Sequence, residues 1–257
     1  MIHCESVSDV YSKEKMIFWF TSAFKSGFIN SAGFLISGKF VSHVTGFGTQ
    51  MGIAMGHSDY FFGAELLIIP CSFILGGVIT SFILEDTKKQ NSNPSYHYVQ
   101  GLITFLIGIL IILGESKLVS SDVPFDQDQN YNVVEFVIIG LMCLICGLKN
   151  SLVTWATYGK IRVTHMTGNA TDIGLHLLSL ISPRHQESRF KENKIINIYR
   201  MGILVSFSMG ALISAIVFPT IGYKAFLIVF GISLCMTFFS FYDNKRREAI
   251  GELKRSF

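Results

Sequence analysis

The residues best equipped for chemistry stand in two near-copies of one phrase. "SHVTG" opens at Ser42, and "THMTG" opens at Thr164. If each stretch is helical, His43, Gly46 and Gln50 recur at i, i+3 and i+7. His165, Gly168, Asp172 and His176 make the corresponding stripe, with Asn169 beside Gly168. Thr45 with Thr49, and Thr167 with Thr171, run alongside. An imidazole titrates near neutrality and suits proton coupling. Together with a carboxylate it can also ligate a divalent ion, which makes His43, His165, Asp172 and His176 the metal candidates. Gly48, Gly52 and Gly56 form a small-residue stripe, and Ala170 with Gly174 a shorter one; this spacing lets helix backbones approach closely. The Thr-Gly step reads as a helix break, because Gly accepts unusual backbone angles and Thr can bond the freed groups. N–H groups at the start of a half-helix would favour an anion.

What must position these residues is a membrane bundle. Half of the 257 residues are hydrophobic, 15% are charged, and the mean hydropathy is +0.46. Soluble domains carry about 25% charge. The net charge of +3 is modest, and no basic stripe with interleaved aromatics points to nucleic acid. The 5 cysteines are an odd number, mostly in apolar runs, so no disulfide framework is implied. Cys143 and Cys146 have CxxC spacing but sit in a continuous apolar segment, where they read as small core residues. No phosphate loop, nucleophile elbow, metalloprotease helix or dinucleotide fingerprint appears. No cofactor and no catalytic residue is therefore expected, and a non-enzyme is the favoured reading.

A span needs about 20 mostly apolar residues. Stretches 16–37, 60–84, 98–118, 133–156, 195–219 and 222–242 meet that requirement, the first being the weakest because Lys25 and Asn30 interrupt it. Residues 85–97, 119–132 and 182–194 read as loops. The two His-x-Thr-Gly segments are too polar for ordinary spans. They are re-entrant in a six-span reading and buried short spans in an eight-span reading. With six spans, fifteen Lys and Arg fall on the cytoplasmic side and two, Lys39 and Lys117, outside. With eight, the division is twelve to five. The positive-inside rule favours six; either count puts both termini in the cytoplasm. Lys25 and Arg200, near span ends, are expected to snorkel to the interface.

The echo extends beyond the short phrase. "GFINS" at Gly27 matches "GLKNS" at Gly147, which pairs Asn30 with Asn150. "GKF" at Gly38 matches "GKI" at Gly159, and "SFILGGVI" at Ser72 matches "SFSMGALI" at Ser206. Each half then holds three spans and one His-x-Thr-Gly segment. An odd number of spans inverts the second half, as in many transporters whose sites lie at the repeat interface.

The phrases "GFINSAGFL…SHVTG…MG" and "GLKNSLV…VTHMTGNATDIG" resemble the YoaK-like family, bacterial integral membrane proteins of unknown function. The resemblance covers about 16–242. This chain departs from the family pattern in its first half, where Asn30 stands for a common Asp and Phe47 for a common Asn. The second motif therefore carries the resemblance more specifically. The resemblance implies a polytopic protein of the bacterial cytoplasmic (inner) membrane and no particular substrate.

The expected architecture is all-α: a cytoplasmic segment at 1–15, a first repeat at 16–118, an external acidic loop at 119–132, a second repeat at 133–242 and a basic cytoplasmic tail at 243–257. The expected function is a transporter or channel for a small solute or ion, with Asn30, His43, Thr45, Gly46 and Gln50 facing Asn150, His165, Thr167, Gly168, Asn169 and Asp172. Within it, His165 and Asp172 are expected to share one cavity. A divalent-metal transporter, a membrane scaffold or sensor, and an intramembrane enzyme are the alternatives. The lipid bilayer is the surrounding partner, and a homo-oligomer is left open.

Overall fold

A computed structural model of the chain describes residues 4, 8–91, 94–116, 133–177 and 188–255, with helices and no strand among them. A 3₁₀ turn, Ser8–Tyr11, leads into α1, Lys13–Ser37. The short α2, Val44–Gly56, and α3, Tyr60–Glu65, precede α4, Ile68–Asn91, and α5, Tyr96–Glu115. The expected external loop lies outside the described residues. After it come α6, Val133–Ala156, the short α7, Met166–His176, then α8, Ser188–Ile221, and α9, Phe226–Arg255.

Local chemistry sets the breaks. Helix α1 ends on left-handed Gly38 at φ 65°, and past the end of α6 stand left-handed Tyr158 and Gly159 at φ 52° and 77°. The Gly38 and Gly159 N–H groups donate to the carbonyls of Phe34 and Thr154, each at 2.8 Å, which caps the final turn of each helix. The expected single span at 60–84 is divided between α3 and α4. Pro70 explains this: in the first turn of α4 its missing N–H breaks no bond, whereas a continuous helix would strand the carbonyl of Leu66. That carbonyl instead accepts from the Ile69 N–H at 3.3 Å. The loops expected at 85–97 and 182–194 are partly helical, and the tail is helical to Arg255. Glu, Lys, Gln and Arg favour helix, so polar residues extend the rods beyond their apolar lengths.

Among the described residues, four stretches are long and apolar enough to cross a membrane: Phe62–Lys88, Tyr96–Glu115, Phe136–Ala156 and Asn193–Ala249. The last, 57 residues long, holds α8 and α9 in succession. Helix α1 is not among them, because Ser22, Lys25, Ser26 and Asn30 dilute its apolar run. The bundle is apolar outside and buries polar side chains within an apolar core. Ile74, Phe82, Phe105, Ile112, Phe238 and Tyr242 are exposed, while Ser26, Thr80, Gln100, Thr104 and Ser233 are buried. Water would select the reverse distribution; lipid selects this one.

Helix α6 is the central rod: 72% of its apolar window is buried, against 17% for the stretch holding α8 and α9. The most extensive packing pairs α1 with α8, α4 with α6 and α5 with α9. Glycines let the first two pairs meet backbone to backbone. A Cβ on Gly27 would stand 1.9 Å from the Phe207 carbonyl oxygen, and one on Gly210 2.0 Å from that of Phe24. A Cβ on Gly147 would stand 2.1 Å from the Phe73 carbonyl oxygen, and one on Gly76 2.5 Å from the Leu148 nitrogen.

Lys25 does not snorkel. It is fully buried, and its Nζ donates to Ser233 Oγ at 2.9 Å, an oxygen that also accepts from Gln100 Nε2 at 2.9 Å. The lysine sits far enough along α1 that α9 covers it before its stem can reach an interface. Lys149, on α6, is also buried, and its Nζ has no hydrogen-bond partner among the described residues. Cys143 and Cys146 are buried free thiols of the core.

Candidate functional site

The two phrases are built alike. After Gly38 the chain turns back along α1, and the Ser42 N–H and Oγ donate to Asn30 Oδ1 at 3.0 and 2.8 Å. After Gly159 it turns back along α6, and Thr164 Oγ1 donates to Asn150 Oδ1 at 3.0 Å. His43 and His165 then take the position just before the first helical residue of α2 and of α7, with φ/ψ of −107°/75° and −89°/69°.

The helix break therefore precedes the histidine, and the Thr-Gly step is not a break: α2 and α7 run straight through it. Glycine is present for space. A Cβ on Gly46 would come within 3.0 Å of His43 Nδ1, and one on Gly168 within 2.7 Å of His165 Nδ1. Without side chains, these positions let each imidazole fold over the first turn of its own helix. Thr171 Oγ1 donates back to the Thr167 carbonyl at 3.0 Å, within helix α7.

Both helix starts open on one cavity of about 730 Å³. Asn30, Ser42, His43 and Thr45 line it from the first half; Asn150, Thr164, His165 and Thr167 line it from the second. Phe40, Phe73, Trp155 and Phe207 supply aromatic wall, and Arg162 a guanidinium. The cavity thus gathers six of the eleven residues singled out for a solute path. Gly46 and Gly168 stand behind the imidazoles. Gln50, Asn169 and Asp172 do not line it. The reason is direction: α2 and α7 point their N-terminal ends at the cavity, so a residue seven positions on is carried roughly 10 Å away along the axis.

Asp172 is engaged elsewhere. Its Oδ2 pairs with Arg200 Nη2 at 2.8 Å, which ties α7 to α8. This replaces one expectation: Asp172 does not share the cavity with His165. Asn169 Nδ2 donates to the Arg162 carbonyl at 3.3 Å and holds the loop that enters α7. Of the metal candidates, His43 and His165 reach the cavity while Asp172 and His176 do not. Among the described residues no three His, Cys, Asp or Glu side chains gather as an ion site. The small-residue stripe is not a packing face either. Cβ atoms on Gly48, Gly52, Gly56 or Gly174 would meet nothing within 4 Å. The closely packed glycines are those of the long helices.

Arg162, Thr154 and Trp155 line the cavity although their types and spacing did not mark them. Arg162 counted only as a loop charge. The available signal was an insertion: "GKIRVTH" is one residue longer than "GKFVSH", and Arg162 falls in the longer copy.

A helical bundle with long apolar helices, an apolar exterior and buried polar side chains is that of a polytopic membrane protein. A family model described as "Protein of unknown function (DUF1275)" matches residues 18–239. The chain belongs to that family, to which the YoaK-like resemblance also points. No curated protein and no solved structure matches the chain.

Proposed function

We propose that the protein is a transporter or channel for a small solute, with its path through the cavity where α2 and α7 begin. One observation carries this reading: matched polar residues from distant parts of the chain, Asn30, His43 and Thr45 with Asn150, His165 and Thr167, line the same space. A network that only held the bundle together would close around its hydrogen bonds, as interiors pack to high density. Here about 730 Å³ stays open between the groups.

The same features support a three-plus-three inverted repeat with re-entrant α2 and α7. Asn30 lies seven residues before the end of α1 at Ser37, so the bond from Ser42 brings the chain back roughly 10 Å before α2 begins. The bond from Thr164 to Asn150 does the same beside α6. The exchange of partners, α1 with α8 and α6 with α4, is what two interlocked repeats would give. Fifteen basic residues on one side against two on the other, counted on six spans, support an orientation with both termini in the cytoplasm of a bacterial cell. A C-terminal reporter fusion that is active only outside the cell would contradict this orientation.

Reconstitution tests transport. Proteoliposomes holding the full chain should take up at least one member of a panel of small anions, cations and neutral solutes faster than protein-free vesicles. His165→Ala should reduce that uptake about ten-fold or more, as loss of a group in direct contact with solute does. Equal permeability of both vesicle types to the whole panel would refute the proposal.

A further inference from the structure

The charge on the cavity wall has one sign, and from it we infer that the occupant is a small organic anion, a carboxylate or similar head on an apolar body. The inference rests on the cavity being the solute path and names the class of solute.

Arg162 is the permanently charged side chain on the wall, and no Asp or Glu lines the cavity among the described residues. No described carboxylate pairs with Arg162 elsewhere. A guanidinium offers five donors and no acceptor, so a ligand that meets it must accept. Val44 with Thr45, and Met166 with Thr167, bring the first turns of α2 and α7 to the same wall. The Met166 and Gly46 N–H groups donate to the carbonyls of Thr164 and His43, each at 3.1 Å, which leaves those of Val44, Thr45 and Thr167 toward this end, where the macrodipole is positive. A cation would face two positive helix ends and a guanidinium.

The amides point the same way. A backbone N–H can only donate, so the bond from the Ser42 N–H fixes the Asn30 side chain with its Oδ1 toward Ser42. The oxygen that could have served a cation is occupied, and the NH₂ donors are what remain.

The rest of the wall selects an apolar body. Phe40, Phe73, Trp155 and Phe207 line it with Met166. A small inorganic anion would gain little from these rings. The volume of about 730 Å³ falls in the usual range for pockets that bury an organic ligand, about 300–1,000 Å³.

Benzoate is a suitable probe, with benzamide as its neutral counterpart and nitrate as an anion without a body. Each is titrated calorimetrically into the purified full-length protein in detergent, followed also by Trp155 fluorescence against a Trp155→Phe control. Benzoate should bind about ten-fold or more tightly than benzamide, and more tightly than nitrate. Arg162→Gln should weaken benzoate about ten-fold or more, and Arg162→Lys should recover part of the loss. Arg162 is exposed, so both variants should keep the thermal stability of the parent. Benzamide binding as tightly as benzoate, nitrate binding more tightly, an Arg162→Gln variant that binds normally, or no benzoate binding at millimolar concentration would each overturn the inference. Benzoate that binds but is not taken up by proteoliposomes would sink the transport reading and leave the anion site standing. Uptake of a neutral or cationic solute without benzoate binding would do the opposite.

Discussion

At the scale of residues, His-x-Thr-Gly is a way of presenting an imidazole. Histidine sits before the helix, Thr stands in its first turn, and Gly clears the space into which the ring folds. Gly168→Ala separates this role from a purely structural one. Its Cβ would press on His165 Nδ1 at 2.7 Å, and the ring, exposed and free to rotate, would swing aside. Stability should change by less than about 1 kcal/mol, since the displaced atoms are a side-chain end and not backbone. Uptake should fall about ten-fold or more, because a displaced contact group costs positioning. Thermal unfolding and proteoliposome uptake on the same preparation check both. An unchanged uptake would mean that the ring's place does not matter. The residue types were legible in the sequence, but the position of the helix start was not. Ser42 and Thr164 donate their hydroxyls to Asn30 and Asn150, and the cap position falls to His. A stripe drawn through Gln50 and Asp172 therefore ran along the wrong axis.

At the scale of elements, two families of glycine behave oppositely. Gly27 and Gly147 stand where long helices cross, with carbonyl oxygens 1.9 and 2.1 Å from where a Cβ would be. Gly48 and Gly174, on the short helices, would gain a methyl group in open space. Gly27→Ala and Gly147→Ala should each lower stability by about 1–3 kcal/mol or more, because backbone must move. Gly174→Ala should be neutral or slightly stabilising, since Ala favours helix over Gly by about 1 kcal/mol. Thermal unfolding in detergent ranks the three, and a destabilised Gly174→Ala beside a tolerant Gly147→Ala would contradict the packing described. Glycine spacing alone misassigned these roles: GxxxGxxxG says that backbones can approach, and nothing about whether a neighbour is there. The Pro70 break and the long polar extensions of α4 and α8 escaped for a similar reason. Apolar length marks what lipid covers, whereas helix ends follow caps, proline and propensity.

At the scale of the whole molecule, the helical class and its long apolar helices were visible in composition, because lipid leaves a protein few choices. What stayed hidden needed the third dimension. Asp172 meets Arg200 only because α7 lies on α8, and Lys25 is buried only because α9 covers it. Arg162 reaches the cavity because the inserted loop turns back beside α6. The central claim is that both halves build one path. A double-mutant cycle on uptake tests it most directly, using the solute that the wild-type chain carries. His43→Ala and His165→Ala should each reduce uptake strongly, and the double variant should be little worse than either, since residues acting in one unit are not additive. If only one histidine matters, or if the two losses multiply as for independent sites, the two phrases do not share a path and the account is wrong.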